Sequence, residues 1–357
     1  FNGVVESDPY LRIMLVEDGQ EVAIVSAEMV NISAEVISAI QEYIHENTGI
    51  PVSNIWVHAN HTITTMHARG EAEQVALYEK AMMAAAEEAL SEALASFQPA
   101  VMGIGKGISE VNANRNKLYP DGQYYVGNFG EEDPERGIIS NHEMTIVRFD
   151  DLNGNPIGMM VSHGTKPTCI DNAEMSEVTR MISSDVPGMM CTMMEEEFDC
   201  PVMFLMGASG DQITVETTSY NTQKDDGSYN QSNFESVAKG LEYKNKYGKQ
   251  MGEDAISIAK TIVCDIDDAD VTTASVEYSY ANNKGDGMVD HVVTGLAIGD
   301  ELALIGLKPE IDSITEKQLW EASPYDTTLV MSFMNGDQKY MPHKEAFDEP
   351  MTVEGKK

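Results

Sequence analysis

The stretch LRIMLVEDGQEVAIVSAEM, Leu11–Met29, decides the fold class. It contains two β-type apolar runs, LRIMLVED and EVAIVSAEM. A helical pattern follows from Ala34 to Asn47, a third β-type run is NIWVHAN (54–60), and a long helical stretch extends from Glu71 to Ser96. Short strands that alternate with helices predict an α/β fold, with mixed β-sheet layers flanked by helices.

A hairpin is predicted in the middle of the chain. EMTIVRFDD and PIGMMVSH flank the turn Leu152–Asn155, and Asn153-Gly154 within it is a strong turn signal. This turn places His163 at the end of a strand. The polar segment Thr222–Ser232 is predicted to be a loop-like insertion. No internal repeat or linker is evident, so residues 1–357 are expected to form one domain.

The net charge of the chain limits the kinds of partner that it can bind. The chain has 23 basic and 59 acidic residues, a net charge of −36, which repels nucleic acids and anionic membranes. Its four cysteines contain no CxxC pair and do not suggest a disulfide scaffold. No apolar run reaches the roughly 18 residues of a membrane-spanning helix, so a soluble protein is expected. The chain begins at Phe1, which leaves secretion or cytoplasmic residence open.

Four apolar runs end on residues whose side chains bind metals. They are IWVHANH at His61, IGMMVSH at His163, LALIGLKPE at Glu310 and MNGDQKY at Tyr340. If these ends converge, two imidazoles, one carboxylate and one phenolate surround a point suited to Zn²⁺. That arrangement predicts a metallohydrolase.

Each of these residues also has an ordinary structural interpretation. His61 has two histidine neighbours in what is alternatively a surface loop, and one of the three is expected to be the ligand. A buried His163 is also satisfied by a backbone carbonyl. The neighbouring Lys308 is an alternative partner for Glu310, and Tyr340 is alternatively a core or rim residue.

Seven segments, in their order and spacing, strengthen the metal interpretation. They are NIWVHANHTIT (54–64), NANRNKLY (112–119), VRFDDLNGNPIGMMVSHGT (147–165), MISSDVPG (181–188), FLMGASGDQ (204–212), LIGLKPE (304–310) and NGDQKYMPHKEAF (335–347). Together they resemble the neutral ceramidase family, zinc-dependent amidases that cleave the N-acyl bond of ceramide. The chain resembles a divergent, bacterial-type member.

This resemblance implies a role for individual residues. The implied zinc ligands are His61, His163, Glu310 and Tyr340. The implied catalytic residues are Arg115 and Asp211, and the implied substrate-binding residues are Asn114, Tyr119 and Thr214. In the implied mechanism, zinc lowers the pKa of bound water to about 7 and polarises the scissile carbonyl. Arg115 steadies the developing negative charge.

The chain also departs from the family pattern. Ile213 stands where the family has a serine, and Ile63 stands where a second histidine is expected. The C-terminal β-sandwich domain of ceramidases is not expected after Phe347. A small-molecule or lipid-like amide or ester is therefore the expected substrate, rather than ordinary ceramide. Two alternatives stay open: a true N-acylsphingosine amidase in which Thr214 or a loop residue substitutes for the serine, and a zinc-containing binding protein without catalysis.

Overall fold

A computed structural model describes residues 4–66, 72–118, 124–126, 132–171, 181–223, 229–267, 269–281, 287–336 and 338–347. The helices of these ranges are α1 Ala34–Thr48, α2 Ala72–Ser96, α3 Asp185–Phe198, α4 Val237–Ala259 and α5 Ser313–Ala322. The strands are β1 Val4–Val5, β2 Leu11–Asp18, β3 Gln20–Ala27, β4 Ile55–Ala59, β5 Ala100–Ile108, β6 Asn112–Asn114, β7 Asn116–Leu118, β8 Tyr124–Val126, β9 Glu143–Asp151, β10 Pro156–His163, β11 Met181–Ile182, β12 Val202–Met206, β13 Gln212–Thr214, β14 Ser219–Gln223, β15 Tyr229–Phe234, β16 Val271–Ala281, β17 Met288–Ile298, β18 Leu302–Gly306, β19 Pro309–Ile311, β20 Thr327–Met331 and β21 Gln338–Met341.

Three sheets and a helical layer form the core. The sheets have the strand orders β2-β3-β4, β12-β10-β9-β5 and β16-β17-β18-β20. Alternate residues of a strand face opposite sides, so β3 contributes to two hydrophobic clusters. Val25 packs with the helices, whereas Ile24 packs with residues of β18 and β20. These packing relations confirm the predicted α/β class with mixed sheets and flanking helices.

Helix α1 shows how closely local sequence sets an element. Ser33 caps its N-terminus by accepting a hydrogen bond from the Val36 backbone N–H, and Gly49 ends it at φ +84°. Its buried residues are spaced at three and four positions, namely Val36, Ile37, Ile40 and Ile44. The helix predicted at Ala34–Asn47 is therefore confirmed.

Two local predictions were wrong. The run from Met181 to Phe198 predicts a helix interrupted at Pro187-Gly188, but α3 begins only at Asp185 and includes both residues, because a proline is tolerated in the first turn. Of the segment predicted to be a loop, Thr222–Ser232, the described residues 222–223 and 229–232 lie in the paired antiparallel strands β14 and β15. The β9–β10 hairpin with its Asn-Gly turn is confirmed.

Candidate functional site

Strand pairing brings Glu310 and Tyr340 together. The short strands β19 and β21 are parallel, and Glu310 lies opposite Tyr340 in their register. Glu310 is buried, whereas Tyr340 is 45% exposed and opens this part of the molecule to solvent. The next residues to join them, His61 and Lys166, come from segments that follow β4 and β10.

Lys166 lies against both residues. Its ammonium Nζ is 2.5 Å from Glu310 Oε2 and donates a hydrogen bond of 3.3 Å to Tyr340 Oη. The ammonium is also 4.9 Å from the centroid of the Tyr340 ring. Ser209 Oγ lies 3.4 Å from the same Glu310 oxygen. The lysine therefore neutralises a buried carboxylate that would otherwise be costly to desolvate.

His61 faces the second oxygen of this carboxylate. Its Nδ1 is 2.8 Å from the Val30 carbonyl oxygen, and its Nε2 is 3.3 Å from Glu310 Oε1. A carbonyl only accepts, so the shorter contact assigns the proton of a neutral ring to Nδ1 and the lone pair to Nε2. Burial lowers the pKa of His61 to about 4, although Glu310 opposes the shift. The neutral Nε2 is therefore a proton acceptor near neutral pH.

Arg115 adds a second cation. It follows β6, and its backbone N–H donates 2.8 Å to the Asp211 carbonyl. The guanidinium carbon is 4.7 Å from the Tyr340 ring centroid, and the buried Nε has no hydrogen-bond partner among the residues that the structure describes. Burial lowers the pKa of Arg115, but the charges of Tyr340 and Glu310 outweigh burial and raise it. This guanidinium stays charged and retains an unused donor.

The charges of the site also shift the acids. Burial raises the pKa of Glu310, but Lys166, His61 and Arg115 outweigh it, so the net shift is downward. The charge of Lys166, followed by that of Arg115, lowers the pKa of the Tyr340 phenol against the effect of burial. We call His61, Arg115, Lys166, Glu310 and Tyr340 together the Lys166 centre.

Asp211 and Asn114 hold in place the segments that adjoin this centre. Asn114 Nδ2 donates 2.8 Å to Asp211 Oδ2, and the backbone and hydroxyl of Ser313 each donate 3.0 Å to Asp211 Oδ1. Burial and the neighbouring Asp312 raise the pKa of Asp211 to about 6. Both side chains thus fix the chain that carries Arg115 and the start of α5.

The remaining predicted substrate residues are less informative. Thr214 is buried, and its hydroxyl lies 3.5 Å from the Thr168 hydroxyl. This contact gives no reason to assign it the role of the family serine. Tyr119 lies outside the described residues.

His163 is engaged elsewhere. Its Nε2 lies 3.1 Å from the Ser109 carbonyl oxygen, and its Nδ1 accepts from the backbone N–H of Thr165 at 3.1 Å and from its hydroxyl at 2.6 Å. Burial lowers its pKa to about 4. Both ring nitrogens are therefore satisfied by backbone and side-chain partners. This is the carbonyl-satisfied alternative that the sequence left open.

The four predicted ligands do not form a zinc site in this arrangement. The 3.3 Å between His61 Nε2 and Glu310 Oε1 matches one edge of a tetrahedron whose ligand distances are about 2.0–2.1 Å. The other Glu310 oxygen and the Tyr340 hydroxyl contact Lys166, and His163 points its nitrogens at other partners. Catalytic zinc sites have about three protein ligands. Within the described ranges, no group of three or more His, Cys, Asp or Glu residues is arranged to hold a metal.

Lys166 was not among the site residues predicted from the sequence. The sequence indicated the neighbouring Lys308 as the alternative partner of Glu310, but the ion pair is made by Lys166. The segment SHGTKPT gave a usable signal, because a lysine three residues beyond a buried strand lies close to the interior. Such a lysine needs a buried carboxylate to offset its desolvation.

The fold is similar to that of ceramidases of known structure. A neutral ceramidase from Pseudomonas aeruginosa superposes with a TM-score of 0.69 and 13% identity, over 95% of this chain and 64% of that chain. A structure described as ceramidase complexed with C2 gives the same TM-score and identity, over 99% of this chain and 67% of the other. The chain thus spans about two thirds of their length. No family model matches it, and neither does any curated protein sequence.

The helices bear on membrane association. Among the residues that the structure describes, no helix combines the length and apolar character needed to cross a membrane.

Proposed function

We propose that this protein is a hydrolase of an amide or ester bond and that the Lys166 centre is its active site. The observation that carries the proposal is that a neutral imidazole nitrogen, a carboxylate, a phenol and two cations lie in contact with one another. Of these groups, the phenol belongs to Tyr340, which is 45% exposed to solvent. Perturbed ionisable groups of this kind concentrate at functional sites. The ceramidase-like fold supports the same reaction class.

The first step is the activation of water. His61 Nε2 accepts a proton from a water molecule as the water oxygen attacks the substrate carbonyl carbon. The proton then lies between Nε2 and Glu310 Oε1, 3.3 Å apart, where the carboxylate stabilises the imidazolium. Zinc has no part in this mechanism, because the residues present do not form its ligand set.

The second step is the stabilisation of the tetrahedral oxyanion. The carbonyl π electrons move to oxygen as the water oxygen bonds to carbon, and negative charge develops there. The Arg115 guanidinium, with its unused Nε donor, and the Lys166 ammonium provide the balancing positive charge. Collapse of the intermediate breaks the carbon–nitrogen or carbon–oxygen bond, and His61 returns its proton to the leaving group. The products are a carboxylic acid and an amine or alcohol.

The proposed substrate is a small or lipid-like amide or ester. Tyr340 is 45% exposed beside the proposed reacting point, and it is the side chain that an acyl chain is expected to contact there. A protein of similar fold is a neutral ceramidase, which suggests N-acyl amides as the first class to examine.

The proposal is tested with a panel of p-nitrophenyl esters and N-acyl aminocoumarins of increasing chain length. Turnover is expected for the wild type, and His61→Ala and Glu310→Gln are each expected to lower kcat/KM by at least about 10²-fold. Lys244→Met is a matched control, because Lys244 is also a buried lysine but pairs with Glu6 outside the centre. Absence of turnover in the wild type, or equal losses in the control, contradicts the proposal.

Two observations favour a second candidate, a binding protein without catalysis. Ile213 lacks a nucleophilic atom, and Glu310 is already neutralised by Lys166. In that case the Lys166 centre retains a carboxylate or acyl ligand and does not cleave it. Calorimetric binding of hexanoate without turnover of any ester or amide in the panel distinguishes this candidate from the hydrolase.

A further inference from the structure

We propose that the ammonium of Lys166 is the resident cation of the Lys166 centre and that the centre is complete without a metal ion. In the resemblance to neutral ceramidases this place belongs to zinc. The role of Lys166 in hydrolysis rests on the proposed function, but its role as the resident cation is measurable without turnover.

The contacts of Lys166 are those of a cation with two of the predicted metal ligands. Its Nζ contacts Glu310 Oε2 at 2.5 Å and Tyr340 Oη at 3.3 Å. The lysine side chain is 3% exposed and that of Glu310 is 2% exposed, so water does little to screen the pair. The ammonium thus supplies the positive charge that a buried carboxylate requires.

The charge balance argues against adding a metal ion. Lys166 and Arg115 provide two positive charges around Glu310, and Asp171 and Asp211 act on Lys166 and Arg115 respectively with weaker effects. A divalent cation at His61 and Glu310 would lie beside the ammonium on the same carboxylate and would be repelled by it. Removing the ammonium would free Glu310 Oε2 and the Tyr340 hydroxyl to join His61 Nε2, which makes three ligands.

Lys244 provides a matched comparison. Its side chain is 6% exposed, and its Nζ lies 2.6 Å from Glu6 Oε1. The described residues around this pair include no histidine contact, so loss of this lysine leaves the Glu6 carboxylate, which is 24% exposed and also accepts from Ser7 and Ser183, without creating a metal site. Any zinc response specific to Lys166 therefore reports on its centre and not on ion-pair loss in general.

The experiment begins with the full wild-type chain, purified without tag or added metal, and its zinc content measured before and after dialysis against ZnCl₂. We expect well below one zinc per chain in both samples and a Tm that EDTA and ZnCl₂ leave unchanged. About one zinc per chain in the wild type, lost in His61→Ala, would overturn the inference.

The second measurement compares Lys166→Met with Lys244→Met. Both are expected to lower Tm, because each removes the lysine partner of a carboxylate. The decrease is expected to be about 5 to 10 °C in Lys166→Met, where the Glu310 side chain is 2% exposed, and smaller in Lys244→Met, where the Glu6 side chain is 24% exposed. Added ZnCl₂ is expected to raise the Tm of Lys166→Met and to leave Lys244→Met unchanged. Equal zinc responses of the two variants, or of Lys166→Met and the wild type, contradict the inference.

A double variant covers the case in which Lys166→Met does not fold. Lys166→Met/Glu310→Gln removes both charges and is expected to recover most of the lost Tm. A double variant as unstable as the single one shows that the ion pair is not the stabilising contact and overturns the inference. If the metal and Tm results are as expected but no substrate is cleaved, the proposed hydrolase function is wrong. The inference that Lys166 is the resident cation is then still supported.

Discussion

Glu316 is a buried carboxylate that differs from Glu310 in its partners. It accepts 2.6 Å from Asn141 Nδ2 and 3.3 Å from the Ala208 backbone N–H, and both donors are neutral. Burial raises its pKa to about 7, with a further contribution from the negative charge of Asp211. The same side-chain type thus has its pKa lowered where a lysine faces it and raised where only amides do.

Glu316 is expected to make stability depend on pH. Its pKa in the folded protein is about 7 against an ordinary value of 4.5, so the folded state binds the proton more tightly. Stability from this group is present below pH 4.5 and is lost as pH rises through 7, by about 3 kcal/mol in total. Glu316→Gln should remove that loss. Urea unfolding at pH 5 and pH 7.5 measures it, and equal pH dependence in both proteins contradicts the expectation.

Arg115→Lys tests whether guanidinium geometry matters and not charge alone. Lysine keeps the charge but cannot reproduce the planar fork or its Nε donor, so we expect kcat/KM to fall about 10²-fold with little change in Tm. Arg148→Lys is the matched control, because Arg148 binds Asp150 through two nitrogens outside the centre. Unchanged kcat/KM in Arg115→Lys would remove the guanidinium from the mechanism.

Strand β19 holds Glu310 in place, and Gly210 lies directly against it. The Gly210 N–H donates 2.9 Å to the Ile311 carbonyl oxygen, and a Cβ at Gly210 would lie 2.8 Å from that oxygen. Because the obstacle is backbone, Gly210→Ala has to displace β19 and Glu310 with it. A glycine is therefore required at position 210 by the close approach of two chain segments.

Gly210→Ala is accordingly expected to destabilise the fold by about 1–3 kcal/mol and to reduce hydrolysis. Gly158→Ala in β10 is the control, since its Cβ would meet Met14 Cε at an ordinary 3.5 Å. Chemical denaturation and initial rates compare the two variants. Equal stability of both would show that β19 tolerates the added methyl group without moving.

The elements differ in how far sequence predicts them. The β9–β10 hairpin was predictable because Asn153-Gly154 marks the turn, and α1 because its cap and apolar spacing are local. The hairpin at Ser219–Phe234 was missed because its polar residues also suit a loop. Of the four residues that the sequence argument expected to converge, His61, Glu310 and Tyr340 lie together, whereas His163 contacts Ser109 and Thr165. Glu310 pairs with Lys166 and not with Lys308 because of tertiary packing between segments that are distant in the sequence. Hydrophobic periodicity gives no information on such packing.

At the scale of the whole molecule, the Lys166 centre contrasts with its surroundings. The chain carries a net charge of −36, yet two cations face one carboxylate in the centre. Surface carboxylates repel each other over roughly a Debye length, about 30 Å at 0.01 M salt and about 10 Å at 0.1 M. The buried Lys166–Glu310 pair is screened much less. Salt should therefore act on the surface charge and leave the centre nearly unchanged.

This separation predicts how stability responds to salt. Raising NaCl from 0.01 M to 0.5 M should raise Tm by several degrees, with most of the gain below about 0.2 M, because screening relieves the self-repulsion of the acidic surface. Lys166→Met should show the same salt-dependent gain from a lower starting Tm, since its lost ion pair is buried. Thermal scans of both proteins across the salt series measure this. A Tm that is flat or falls with salt contradicts the self-repulsion argument, and a much steeper gain in Lys166→Met would mean that the lysine acts through the surface field and not through Glu310.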